Sequence, residues 1–204
     1  GVSVCDINQD GWPDIYVSND YVSNDLLYIN NQDGSFTDQA STLFKHTSYS
    51  AMGNDVSDYN NDGLLDLIEV DMLPGDNYRK KMMLGSTNHD RYRSEIQYGY
   101  DPQYMRNTLQ LNQGLDEKKL PNFSEISMLA GVSATDWSWC PLFADLDNDG
   151  DVDIFHVGGY FNIPQNWLDK LVPDQKDRVA LEVFKATTGE SAFDNVRKFK
   201  ISFD

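Results

Sequence analysis

Three stretches of nine residues carry the chemistry most plainly. Asp6 to Asp14 reads DINQDGWPD, Asp58 to Asp66 reads DYNNDGLLD, and Asp145 to Asp153 reads DLDNDGDVD. In each, oxygen-bearing side chains occupy positions 1, 3, 5 and 9, and glycine occupies position 6. The candidate ligands are therefore Asp6, Asn8, Asp10 and Asp14; Asp58, Asn60, Asp62 and Asp66; and Asp145, Asp147, Asp149 and Asp153. The backbone carbonyls of Trp12, Leu64 and Asp151 at position 7 would complete each shell. An all-oxygen donor set of this size is what a hard cation requires, and Ca²⁺ takes 6–8 oxygens at roughly 2.3–2.6 Å. Gly11, Gly63 and Gly150 allow the positive φ that folds such a loop back on itself. Turns of Asp, Asn and Gly are common on their own account. Three copies with one spacing, each ending in Asp, instead predict three structural calcium sites.

Asp58 through Glu69 also satisfies the EF-hand pattern D-x-[DN]-x-[DN]-G-x5-E, but the other two copies carry Val17 and His156 at position 12. The flanks decide the matter. Position 9 runs into Ile15-Tyr16-Val17, Leu67-Ile68-Glu69-Val70 and Ile154-Phe155-His156-Val157, which read as β-strands. Apolar residues precede the loops as well. The unit is strand, cation loop, strand, and Glu69 is expected to be a strand residue.

The repeat is longer than the loop. Asn24 to Asn30, a turn at 31–34 and Ser35 to Asp38 form one predicted hairpin, and Arg106 to Asn112 with Asn122 to Glu125 form a second. Each repeat then contains about four strands, the unit of a propeller blade. Residues 1–50 make a first blade, 51–135 a second and 136–204 a third. The loops begin at 6, 58 and 145, so the spacings of 52 and 87 residues place an insertion in the second repeat, at 71–104. It carries Tyr78, Tyr92, Tyr98, Tyr100 and Tyr104 with Arg79, Lys80, Lys81, Arg91 and Arg93. Two readings of it stand together: a partly helical cap packed by its aromatics, or a partner-facing surface in which Tyr98, Tyr100, Arg91 and Arg93 lead. Trp137 and Trp139 are expected between blades. Beyond Pro164 the pattern suggests a helix over 167–176 and strands over 179–184 and 196–203.

The 204 residues, 40% of them hydrophobic, can bury a sizeable core. A formal charge of −17 argues against nucleic acid and anionic membranes as partners. Three divalent ions would reduce it to about −11. Cys5 and Cys140 lack metal or redox spacing; Cys5 is expected to be a small buried residue, with a pairing to Cys140 left open. No apolar run approaches the ~20 residues of a membrane span. With no leader and no initiator Met, the chain is expected to be an excerpt of a longer mature polypeptide.

The stretches DINQDGWPDIYVSND, DLLYINNQDGSFTD, GNDVSDYNNDGLLDLIEVDMLP and TDWSWCPLFADLDNDGDVDIF resemble the FG-GAP/VCBS repeat family of calcium-binding β-propellers, which includes integrin α-subunit heads. They look closest to the bacterial cartilage-acidic-protein-like, ASPIC/UnbV-associated proteins. The likeness covers about residues 1–162. It implies an all-β fold, part of an integrin α-like propeller that is seven-bladed in the parent chain. About three blades are covered here, with one partly helical insertion. It also implies calcium at the three loops, no catalytic residue, and a bacterial protein that is secreted or lipid-anchored at the outer-membrane surface. The function expected is a calcium-stabilised binding module for cell-surface adhesion or for a protein or glycan complex. One alternative differs in class, a polysaccharide lyase or hydrolase on a propeller scaffold; the other, an accessory subunit of an outer-membrane nutrient importer, is also a binding role. Glycoside chemistry needs two carboxylates at a set separation. Most acids here are committed to the loops, and His46, His89 and His156 fall in unrelated contexts.

Overall fold

In the computed structural model, residues 1–83 and 89–158 are described. Three features expected of the third repeat, the helix over 167–176 and the strands over 179–184 and 196–203, lie outside them. The described chain is mostly β, in antiparallel sheets with a few short helices. Strands β1 (Val2–Cys5), β2 (Asp14–Val17), β3 (Leu26–Asn30) and β4 (Phe36–Asp38) form a four-stranded meander in that order. After α1 (Ala40–Leu43) and β5 (Thr47–Ser48) come β6 (Gly53–Ser57) and β7 (Asp66–Val70). The insertion follows, with α2 (Asn77–Met83), α3 (His89–Gln97) and β8 (Gln103–Tyr104). Strands β9 (Thr108–Leu115) and β10 (Pro121–Glu125) complete a second sheet of order β6-β7-β9-β10. A third sheet pairs β11 (Ser138–Ala144) with β12 (Asp153–Gly158).

Both predicted hairpins and all three strand–loop–strand units are therefore present. β11 begins four residues earlier than Leu142, so Trp139 lies inside the strand, about half exposed rather than packed away. Cys5 is half-buried beside the core and Cys140 is exposed; both are free thiols. Burial, reinforced by Asp14 and Asp6, pushes the Cys5 thiol up to about 12.

Alternation along the strands sorts side chains into two cores. Tyr16, Leu27 and Ile29 of the first sheet pack with Leu67, Phe123, Phe44 and Ile7. On the opposite face of the second sheet, Ile68 and Leu109 pack with Phe143, Ile154 and Tyr59. Every residue of β7 is consequently buried, Glu69 included. The first strand of each unit lies beside the next. Ser3 Oγ donates to Asn54 Oδ1, Asn54 Nδ2 donates to Ser18 Oγ, and the Phe143 amide donates to Asp55 Oδ2 at 2.7 Å. Gly53 is required at this approach, because a Cβ there would stand 2.7 Å from the Trp139 carbonyl oxygen.

The insertion is helical because its ends are capped. Asp76 Oδ1 accepts the Arg79 amide at 2.8 Å ahead of α2. α3 ends where Gly99 adopts φ +92°, with Gly99 N–H to Ile96 O and Tyr100 N–H to Glu95 O. One side of α3 is fastened down. The Arg91 guanidinium lies 5.0 and 5.1 Å from the ring centres of Tyr21 and Tyr49 and also pairs with Glu95, while Tyr92 stacks on Tyr104. Tyr98, by contrast, is 84% exposed. The clamp thus belongs to α3 and the open surface to the turn that follows it. Arg91→Ala should lower stability by about 1 kcal/mol, the scale of an exposed cation–π contact, whereas Tyr98→Ala should leave denaturant unfolding unchanged.

Candidate metal centre

The three acidic loops join the first two strands of each unit, and they adopt one hydrogen-bond pattern. The position-1 carboxylate spans the backbone amides of positions 5 and 6: Asp6 accepts from Asp10 and Gly11 at 2.9 and 2.8 Å. Asp58 accepts from Asp62 and Gly63 at 3.0 and 2.7 Å, and Asp145 from Asp149 and Gly150 at 3.1 and 3.0 Å. Position 5 accepts the position-7 amide, so Asp10 holds Trp12, Asp62 holds Leu64 and Asp149 holds Asp151. At position 3, Asn8 and Asn60 accept the position-5 amide and turn their own side-chain amides onto the position-5 carboxylate. Gly11, Gly63 and Gly150 all have φ near +90°, as the tight return demands.

Position 9 is different in kind. Asp14 and Asp66 are fully buried and Asp153 nearly so. In all three, Oδ2 accepts the position-2 amide, from Ile7, Tyr59 and Leu146 at 3.0, 3.2 and 3.1 Å. In the first two units Oδ1 accepts the amide of an asparagine on the third strand, Asn30 or Asn112, at 2.8 Å each. Those asparagines also donate to the position-8 carbonyls of Pro13 and Leu65. These pinning residues were not singled out from spacing, although the motif "aromatic or Gln, aliphatic, Asn" in YIN and QLN recurs at matching points of the two repeats.

Position 4 was missed as well. Gln9, Asn61 and Asn148 all sit at φ between 55° and 60°. Gln9 Nε2 donates to the Gly63 carbonyl of the second loop, and Asn61 Nδ2 to the Gly150 carbonyl of the third at 3.1 Å. The first two loops are thereby each bonded to the next at the same two positions.

The electrostatics suit a cation. Burial, helped by Asp62 and Asp58, pushes the Asp66 carboxyl up to about 7, and Asp14 is raised for the same first reason. A bound cation reverses that logic by favouring the ionised form. In the third loop, Asp145, Asp147 and Asp149 offer oxygens that all lie within 4.8 Å of one another, a separation at which one ion can be held. In the first two loops asparagine replaces the position-3 acid, so each offers three carboxylates and an amide oxygen.

Residues 6–68 match the FG-GAP-like repeat. The matched stretch opens on the first ligand of loop 1 and ends in β7, so it takes in both of the first two loops. No match to a curated protein was found. The family comparison thus takes in loops 1 and 2; loop 3 lies outside the matched residues and shares with them the hydrogen bonds of positions 1, 5 and 9.

The remaining candidates are accounted for in place. Glu69 is a β7 residue facing the first sheet, not its own loop. His46 lies between Arg106 and Glu125, His156 Nδ1 meets the Ser138 hydroxyl, and His89 opens α3. Burial opposes ionisation of Glu125, but hydrogen bonds from His46, Ser127 and the Leu109 amide outweigh it and hold the carboxyl at about 2.

Asn112→Ala keeps the backbone amide on Asp66 but removes the side-chain bond to the Leu65 carbonyl and the one from the Gly114 amide, so it should cost about 1–3 kcal/mol, the net value of two hydrogen bonds, in denaturant unfolding. The cost should shrink when the loops are tested without divalent cation, because a loop already loosened has less to lose.

Proposed function

We propose that the chain is a calcium-stabilised binding module, three units of a β-propeller, with one Ca²⁺ in each loop. The observation that carries this is the repetition of one loop hydrogen-bond pattern at all three places, and in the third the oxygens of Asp145, Asp147 and Asp149 lie close enough together to hold one ion. Asp6, Asn8, Asp10 and Asp14 would hold the first ion with the Trp12 carbonyl. Asp58, Asn60, Asp62 and Asp66 would hold the second with the Leu64 carbonyl. Asp145, Asp147, Asp149 and Asp153 would hold the third with the Asp151 carbonyl. The ions are structural in this reading, since a nearly complete protein shell leaves little room for substrate.

The propeller reading draws on the outer face of the first sheet. Val2 and Val4 are 65% and 66% exposed and pair with Val17 and Ile15, which continue to Leu26 and Tyr28. The corresponding inner faces elsewhere are covered by a neighbouring sheet. A further unit of the same kind fits that surface, and three units fall short of the 4–8 blades of a closed ring.

The setting proposed is extracellular, bacterial and at the cell surface, where calcium is plentiful enough for sites with Kd of about 10⁻⁴–10⁻³ M. Among the described residues no helix is long and apolar enough to cross a membrane. The likeness to the ASPIC/UnbV-associated proteins belongs to the same proposal, as does a protein or glycan partner. That partner would meet the outward side of the insertion, where Tyr78 and Tyr98 are widely exposed. Aromatic side chains of this kind serve interface hot spots because they bring area with a polar handle.

Calcium at 100 times Kd should stabilise the fold by about 2.7 kcal/mol per site, so chelation should lower the melting temperature clearly. Asp149→Ala should abolish binding at the third loop, while Asp151→Ala should leave binding nearly unchanged. A melting temperature indifferent to chelator would overturn the reading.

A further inference from the structure

Between the first two sheets lies a group of acids that neither the loops nor the insertion employs. Asp25, just ahead of β3, belongs to the first sheet; Glu69 in β7 and Asp71 after it belong to the second. All three are buried. The Tyr16 hydroxyl of β2 sits among them, 3.3 Å from Asp25 Oδ2 and 3.3 Å from Glu69 Oε1.

Counting donors defines the problem. Asp25 Oδ1 accepts the Asn19 amide at 2.8 Å. Glu69 Oε2 accepts the Ser48 amide at 3.0 Å and the Thr108 hydroxyl at 3.2 Å. Asp71 is saturated by the Ser48 hydroxyl and the amides of Tyr49, Ser50 and Met72. The facing pair, Asp25 Oδ2 and Glu69 Oε1, shares the Tyr16 phenol as donor, and a phenol has a single proton; the Thr47 hydroxyl serves Asp25 alone. With both carboxyls ionised, one of the two 3.3 Å contacts would set acceptor against acceptor, buried, without a neutralising charge. The elements packed around the pair present Tyr16 from β2, Thr47 and Ser48 from β5, Thr108 from β9 and the acid Asp71. Among the described residues no Lys, Arg or His side chain hydrogen-bonds either carboxyl.

We propose that Asp25 and Glu69 share one bound proton in the folded protein, so that the junction of the first two sheets is a proton-binding site that weakens as pH rises. Burial, first of all, pushes both carboxyls upward, Glu69 the further; the Asp25 and Asp71 charges add to the push on Glu69, while hydrogen bonds from the Asn19 amide and neighbouring side chains oppose it at Asp25. The sign follows. The folded state keeps a proton that the unfolded chain gives up above the ordinary carboxyl value of about 4.3. Between that value and the raised folded one, the folding constant falls about tenfold per pH unit for the one proton held.

The test is unfolding of the whole chain at a series of pH values with calcium saturating, so that the loop carboxylates remain ionised. Glu69→Gln supplies a fixed N–H in place of the titrating proton. The wild-type folding constant should lose about tenfold per pH unit relative to Glu69→Gln across this window, and Asp25→Asn should flatten the profile in the same way. Profiles of wild type and variants that run parallel would overturn the proposal. Should neither variant fold, infrared spectroscopy of the calcium-saturated wild type, its loop carboxylates ionised, decides at neutral pH: a protonated-carboxyl C=O band supports the shared proton, and its absence refutes it.

Discussion

A buried carboxylate at the ninth loop position ties this molecule together. Asp14 and Asp66 each close their loop through the amide of position 2 and fix the third strand through the amide of Asn30 or Asn112. Loop geometry and sheet register are therefore set by the same two oxygens. Burying a carboxylate is costly unless it is hydrogen-bonded and its charge is met. The amides meet the first condition. For the second, the upward push on Asp66 by burial and its acidic neighbours marks a charge still to be balanced. A divalent ion in the loop, as proposed, would balance it.

Linkage between units follows from the same geometry. A left-handed amide residue at position 4 reaches the position-6 carbonyl of the next loop, and first strands lie beside first strands. A disturbance in one loop can thus be felt in its neighbour without passing through the cores. The junction of the first two sheets carries a second polar contact, the Tyr16–Asp25–Glu69 group, on the same face as the Leu67 core. Apolar packing and a polar network share that interface, which makes it more selective in alignment than packing alone.

Much of this was legible in the sequence, for a local reason. Loop spacing, strand alternation and hairpin turns are all set within about ten residues, and the observed strands follow them closely. Glu69 is where the EF-hand pattern misleads, and the β-branched and aromatic residues around it were enough to show that. What escaped depends on residues distant in the chain. Asn30 follows Asp14 by 16 residues but Asn112 follows Asp66 by 46, because the insertion intervenes and hides the correspondence. The two-residue parallel pairing of β5 with β8 spans still more chain. Nor does composition tell that Arg91 of α3 turns inward to Tyr21 and Tyr49 while Tyr98, in the turn after the helix, faces out; the fold around the helix end decides it.

The most direct measurement of the central claim is the number of calcium ions bound per folded chain, by native mass spectrometry after exchange into calcium-containing buffer. Three ions are expected, falling to two in Asp149→Ala. A chain that folds normally and retains no calcium, or whose count is unaltered by that substitution, would contradict the assignment of the loops as cation sites.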